Sequence, residues 1–145
     1  MPSSSFSDRL GFSLSAASMS YLWIALGSAI GGVLRFWLSS AVAQRLDARF
    51  GEGVGLAFVG TVVVNVTGCF AIGLLAGMGP VPFTRQLFMI GLLGGYTTFS
   101  SFSLQTLELA HEGKWFMAGM NVLLSVVLSL IAVWAGHALG AALKR

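Results

Sequence analysis

The sequence predicts an all-α membrane protein with four transmembrane helices, the third of them broken at its centre. Hydrophobic residues make up 56% of the 145 residues, charged residues only 9%, and the mean hydropathy is +0.86. A soluble globule of this length needs far more polar surface. A helix needs roughly 20 residues to cross about 30 Å of hydrocarbon. Apolar runs of about that length or longer occupy residues 21–42, 56–76, 86–109 and 116–143.

The first span follows a Ser-rich stretch, residues 1–20, which we interpret as an N-terminal tail preceding a membrane domain at 21–145. Gly27 and Gly31 have the spacing that lets another helix approach closely, and Arg35 lies one turn further along that stripe. An arginine inside the bilayer costs about 2.5–3.5 kcal/mol on insertion scales. It either snorkels to the interface or supplies a fixed positive charge in an anion vestibule. The second interpretation is favoured because no acidic residue lies at the centre of any span.

The second span carries a polar stripe that includes Thr61, Asn65 and Cys69, four residues apart. A mid-membrane asparagine has two donors and an acceptor that hydrocarbon leaves unsatisfied. Asn65 is therefore expected to lock helix packing through an interhelical hydrogen bond, to donate to a passing anion, or to do both. Cys69 is the only cysteine, which excludes an intrachain disulfide and a thiol metal cluster.

The third span contains the segment Gly-Gly-Tyr-Thr-Thr-Phe-Ser-Ser-Phe-Ser at 94–103. Two adjacent glycines with two threonines and three serines predict a break in the helix. In hydrocarbon, a break persists only where it is buried in protein or lines a wet path. Phe99 and Phe102 are three residues apart and are expected on one helix face beside the hydroxyl groups, although plain core packing is the alternative. The carbonyl groups exposed around 94–97 would suit a bound cation.

The fourth span places Asn121, Ser125 and Ser129 on one stripe, four residues apart. A single serine in a membrane helix usually bonds back to the carbonyl one turn earlier, whereas three polar residues in register favour a polar track. Apart from backbone carbonyls, the directed polar groups of the spans can all donate. A donor-lined path with a fixed positive charge suits an anion, and the electropositive edge of a phenylalanine ring adds to this.

The distribution of charge indicates how the chain sits in the membrane. The net charge is +3, but the cations are scattered, which argues against nucleic-acid binding. Those at the chain ends and in the second loop nearly balance those in the first and third loops, so the positive-inside rule gives almost no preferred orientation. We therefore expect an antiparallel, dual-topology homodimer. The two groups are Arg9, Arg85, Lys144 and Arg145 against Arg45, Arg49 and Lys114.

The segment at 94–103 resembles the signature of the Fluc (CrcB) fluoride channel family, and the polar positions of the other spans fall where that family keeps its own. The resemblance covers roughly residues 21–143 and identifies 21–145 as a channel domain. It implies a fluoride-selective channel that gives passive efflux and protects against fluoride toxicity. It also implies an antiparallel homodimer in the plasma (inner) membrane of a prokaryote, with a structural Na⁺ at the dimer centre.

The resemblance also implies roles for individual residues. Arg35 would be the vestibule charge, and the backbone carbonyls of Gly94 and Thr97 would hold the Na⁺. Gln105 departs from the family pattern, in which a Glu is frequent, and Asn121 stands where a Tyr can occur; both departures bear on how ions gain access. The pore lining implied by motif position comprises Phe99, Phe102, Asn65, Thr98, Ser101, Ser125, Ser129 and Asn121.

Three other classes of function fit the sequence less well. A small multidrug-resistance-type exporter also has four short spans, but proton coupling requires a titratable acid within the membrane. An assembly subunit would explain the paired glycines but not a broken helix with aligned hydroxyl groups. An enzyme would need a nucleophile with its base, or a metal set, and neither is evident. The acidic residues all lie near or beyond the span ends, at Asp8, Asp47, Glu52, Glu108 and Glu112.

Overall fold

The structure, a computed structural model, describes the backbone of residues 6–51 and 55–144 and the side chains from residue 18 onward within those ranges. Within this part of the chain all regular structure is helical. Four segments are long and apolar enough to cross a membrane, which confirms the predicted fold class. The elements are α1 (Phe6–Phe50), α2 (Phe58–Met78), α3 (Pro82–Thr84), a π-helical segment (Arg85–Leu93), α4 (Gly94–Tyr96), α5 (Phe99–His111) and α6 (Trp115–Leu143).

Helix α1 is longer than the apolar run that predicts it. The span was expected at 21–42, but the helix begins at Phe6 and ends at Phe50. Residues 6–20, assigned above to a tail, therefore continue the helix, while 1–5 lie outside the described residues. Once a helix exists, each added residue forms one backbone hydrogen bond, and only the backbone of that one residue has to be fixed. Polar flanks can thus extend it beyond the hydrocarbon at little cost.

Glycines set the close approach of α2 and α6. A Cβ built at Gly73 would overlap the carbonyl oxygen of Val133, and one built at Gly136 would overlap that of Phe70. The two backbones are therefore in contact, as expected where small residues replace side chains at a membrane helix interface. The turn that follows α2 also depends on a glycine, because Gly79 adopts a left-handed conformation with φ of 70°.

Helix α1 packs in the same way against the first half of the third span. A Cβ at Gly27 or Gly31 would overlap backbone atoms of the π-helical segment, and a Cβ at Gly95 would overlap the backbone of Ser28. The glycine pair at 94–95 lies in the segment that was predicted to contain the break, but the pair itself is helical. Gly95 instead serves close packing, since the backbone of α1 leaves no room for a side chain there.

The third span is broken one turn later, at Thr97 and Thr98. Thr97 has ψ of 153° and Thr98 has φ of −149° and ψ of 123°, which is extended backbone between α4 and α5. The break predicted within 94–103 is confirmed, and it falls at the two threonines of that segment. The π-helical segment that precedes it was not predicted; such wide turns occur frequently near functional sites.

Candidate functional site

Asn65 on α2 holds the broken segment through its side-chain amide. Its Oδ1 accepts a hydrogen bond from the backbone N–H of Thr98 at 2.8 Å, and its Nδ2 donates to the carbonyl of Thr98 at 3.1 Å. The first bond satisfies the Thr98 N–H, which has no helical acceptor at the break, and the second adds a donor to the Thr98 carbonyl. The predicted interhelical role of Asn65 is therefore present. One of its two amide protons remains for another acceptor.

Thr98 also starts the second half of the span. Its Oγ1 accepts a hydrogen bond from the backbone N–H of Ser101 at 3.2 Å, which makes Thr98 the N-cap of α5. The same hydroxyl donates to Ser101 Oγ at 3.2 Å and lies 3.1 Å from Ser100 Oγ. Thr98 is only 7% exposed, whereas Ser100 is exposed and Ser101 is half-buried, so the hydroxyl cluster at the break reaches from the interior to the surface of the chain.

A groove of about 300 Å³ opens between α2, the break, α5 and α6, and we call it the hydroxyl groove. It unites most of the residues predicted for an anion path. Those predicted residues are Asn65, Thr98, Phe99, Phe102, Ser125 and Ser129. Cys69, Thr97, Val126 and Leu130 complete its lining.

The two phenylalanines lie side by side but differ in burial. Their ring centroids are 5.1 Å apart with an interplanar angle of 49°. Phe102 is 8% exposed and belongs to the interior of the chain, whereas Phe99 is 76% exposed. The predicted pair is therefore one anchored ring and one ring presented outward beside the groove.

The residues of the polar stripe on α6 have two different roles: Asn121 makes buried interhelical hydrogen bonds, and Ser125 and Ser129 line the hydroxyl groove. Asn121 is fully buried outside the hydroxyl groove, and its Nδ2 donates to Thr106 Oγ1 at 2.8 Å and to the Phe102 carbonyl at 3.3 Å. Its Oδ1 accepts from Ser125 Oγ at 3.1 Å. Because Ser125 donates its only hydroxyl proton to Asn121, it offers acceptor lone pairs to the groove. The buried Ser129 Oγ has no hydrogen-bond partner within the described part of the chain.

Arg35 lies in a second cavity of about 230 Å³, which we call the arginine cavity. The side chain is half-buried and shares this space with Ser101, Thr98 and Gln105. Thr98 lines both this cavity and the hydroxyl groove. A positive charge therefore lies next to the hydroxyl cluster of the break, with Gly32, Phe36, Ser39 and Thr61 completing the lining.

Gln105 lines both the arginine cavity and a third, smaller cavity. This cavity of about 110 Å³ is lined by Gln105 together with Glu108 and Glu112, near the end of α5. Glu112 forms a salt bridge of 2.8 Å with Lys114. Gln105 Oε1 is buried and has no hydrogen-bond partner among the described residues. The arginine cavity thus shares Thr98 with the hydroxyl groove and Gln105 with this third cavity.

Two details of this site were not predicted from the sequence. Thr61 on α2, which is 3% exposed, lines the arginine cavity, and the interhelical hydrogen bonds expected of Asn65 go to the backbone of the break. One sequence signal for the start of α5 was present at Thr98, because threonine is a preferred N-cap residue. Among the described residues, no group of three or more His, Cys, Asp or Glu side chains could hold a metal ion.

Comparison with known proteins identifies the chain's relatives. It is 46% identical over 134 residues to the fluoride-specific ion channel FluC of Paramagnetospirillum magneticum, covering 88% of this chain and 99% of that protein. It is 48% identical over 126 residues to FluC of Rhodospirillum rubrum, covering 82% and 92% of the two chains. It is 52% identical over 124 residues to FluC of Opitutus terrae, covering 81% and 89%.

A family description covers most of the membrane domain as well. The sequence model of the family described as "CrcB-like protein, Camphor Resistance (CrcB)" matches residues 22–137, which include the broken segment and most of all four spans. The chain therefore belongs to the CrcB-like protein family.

Proposed function

We propose that this chain forms a fluoride-selective channel that gives passive efflux of fluoride across the membrane and so protects the cell from fluoride toxicity. The observation that carries the proposal is the hydroxyl groove, in which amide and hydroxyl groups gather beside two phenylalanine rings. Relatives of 46–52% identity are named fluoride-specific ion channels. The chain is accordingly a channel protein and not an enzyme.

The donor groups suit a small, strongly hydrated anion. Leaving water is costly for fluoride unless hydrogen-bond donors replace its hydration shell. Asn65 retains one amide proton and Ser129 retains its hydroxyl proton, and both residues line the groove. The edge of the Phe99 ring carries partial positive charge and adds a further contact. Arg35 then attracts the anion on the far side of Thr98, in the arginine cavity.

We propose that two copies insert in opposite orientations and pair. Phe99 and Gly94 are exposed on the surface of the single chain, next to the extended backbone at Thr97. Non-helical backbone at membrane depth must be covered by protein or face a wet path. A second copy placed against this face would supply that cover. The near balance of cations between the two sides of the membrane supports dual topology.

A sodium ion at the dimer centre is part of the same proposal. The ligands would be the backbone carbonyls of Gly94 and Thr97, contributed by both copies. Unwound carbonyls of broken membrane helices are suitable ligands for Na⁺, which would hold the two breaks together by its charge. The bacterial relatives support placement in the plasma (inner) membrane of a prokaryote.

Reconstitution into liposomes tests the proposal. Vesicles loaded with potassium fluoride and treated with a potassium ionophore should release fluoride rapidly to an external electrode, without ATP and without a proton gradient. Vesicles loaded with chloride should retain it. Equal release of chloride would contradict fluoride selectivity. Release that depends on a proton gradient would contradict passive efflux. Proton-driven transport of an organic cation by the same vesicles would instead favour the small multidrug-resistance-type exporter, for which the spans lack a central acid.

Replacing Arg35 by glutamine should lower fluoride efflux by about tenfold. The attraction between a unit charge and an anion 4 Å away is about 1 kcal/mol in bulk water and about 4 kcal/mol near a protein surface. A change of about 1.4 kcal/mol in the barrier corresponds to a factor of about ten in the rate. The rate is measured with the fluoride electrode at low and high ionic strength. Arg35→Lys keeps the charge and should keep most of the flux. If Arg35→Gln conducts like the wild type at low salt, Arg35 does not attract the anion.

A further inference from the structure

We infer that the side chains of Asn65 and Thr98 are positioning residues for the sodium ion, because they divert two backbone N–H groups and so free the carbonyls of Gly94 and Thr97. This inference rests on the sodium site proposed above. It gives Asn65 a task separate from donating to an anion. It also predicts that two side chains that are not ligands decide whether the site exists.

The diversion follows from hydrogen bonds at the break. In an uninterrupted α-helix, the N–H of Thr98 donates to the carbonyl of Gly94, and the N–H of Ser101 donates to that of Thr97. Here the N–H of Thr98 donates to Asn65 Oδ1 at 2.8 Å. The N–H of Ser101 donates to Thr98 Oγ1 at 3.2 Å. Each backbone amide has a single proton, so both carbonyls lose their helical donors.

The hydrogen bonds that divert the N–H of Thr98 depend on the packing of α2 against the break. Asn65 lies on α2, 33 residues from Thr98, and also donates from Nδ2 to the carbonyl of Thr98 at 3.1 Å. The break is therefore clamped on both of its peptide groups by a neighbouring helix. Thr98 is buried at 7% exposure, whereas Gly94 lies on the exposed face of the chain. The clamp is inside the protein, and one of the freed carbonyls belongs to the face that a second copy would cover.

A freed carbonyl in a membrane requires a new partner. A cation shared between two copies would satisfy both carbonyls of each break, and this accounts for why the diverted bonds are tolerated. Without the Asn65 clamp, the helix can close and return the N–H of Thr98 to Gly94. The ion would then have to compete with the helix for its ligands. Loss of the clamp should therefore weaken sodium binding.

The test measures thermal unfolding of the purified full-length dimer over a series of Na⁺ concentrations, with N-methyl-D-glucamine keeping the ionic strength constant. A ligand that binds the folded state raises the unfolding temperature, and the concentration dependence gives its affinity. Asn65→Ala and Thr98→Val should raise the Kd for Na⁺ obtained from this dependence by about tenfold or more. Thr98→Ser keeps the Oγ acceptor and should retain the wild-type value.

Asn121→Ala is the matched control, because it removes a second interhelical asparagine whose bonds go to Thr106 and Phe102, outside the break. It should lower the unfolding temperature equally at all Na⁺ concentrations. Wild-type protein without any Na⁺ dependence would overturn the sodium site itself. A Na⁺-dependent wild type with unchanged affinity in Asn65→Ala and Thr98→Val would overturn the positioning roles alone. If Asn65→Ala does not fold, the comparison of Thr98→Val with Thr98→Ser decides.

Discussion

Replacing Phe99 by isoleucine is expected to cut fluoride efflux by about tenfold or more while the proposed dimer persists. The ring is 76% exposed in the single chain and stands 5.1 Å from Phe102, at the edge of the hydroxyl groove. Isoleucine keeps the apolar bulk but lacks the electropositive ring edge that can face a small anion. A loss of about 1.4 kcal/mol at the transition state for passage corresponds to a tenfold slower rate.

The measurement is fluoride release from liposomes, with the oligomeric state determined by cross-linking in the same vesicles. Phe116→Ile is the control, since Phe116 is 81% exposed at the start of α6 and lies outside the groove. It should conduct like the wild type. Unchanged flux in Phe99→Ile would remove this ring from the anion path. Loss of the dimer would instead show that Phe99 acts through assembly.

Replacing Gly136 by leucine is expected to prevent folding, and even Gly136→Ala should destabilise the protein. A Cβ at this position overlaps the carbonyl oxygen of Phe70, and the nearby backbone nitrogen of Leu74 is 2.9 Å away. Both are backbone atoms of α2, so relief requires the two helices to separate. Overpacking of this kind costs about 1–3 kcal/mol for small additions. Separation would also disturb α2 near Asn65 and, through it, the break.

Gly119→Ala is the control on the same helix, and it is expected to change stability in the opposite direction. Outside that helix's own backbone, no heavy atom of the described residues lies within 4 Å of a Cβ built at Gly119. Alanine there should stabilise the helix by about 0.5–1 kcal/mol, because glycine loses more backbone freedom on folding. The comparison uses unfolding of the detergent-solubilised protein by heat or by a denaturing detergent. Equal stability of Gly136→Ala and Gly119→Ala would contradict the close approach of α2 and α6.

Several parts of the site could be predicted because they follow from spacing on a helix. The stripe of Asn121, Ser125 and Ser129 lies on one side of α6, and Phe99 and Phe102 are neighbours on α5. Residues three or four positions apart share a helix face whatever surrounds them. Spacing does not say which member of a stripe is an anchor and which lines a groove. Asn121 proved fully buried because α5 supplies acceptors at Phe102 and Thr106.

The sequence by itself determined that four helices cross the membrane and that the third is interrupted. Apolar length and the cost of unpaired peptide groups in lipid act on each segment separately, so local composition is sufficient for both conclusions. Only the tertiary structure decided that the interruption falls at Thr97 and Thr98. Gly95 is held helical against the backbone of α1, and the N–H of Thr98 bonds to Asn65, 33 residues away, in place of the carbonyl of Gly94. Which of the two acceptors the N–H of Thr98 bonds to depends on the position of α2, and the local sequence around Thr98 does not determine that position.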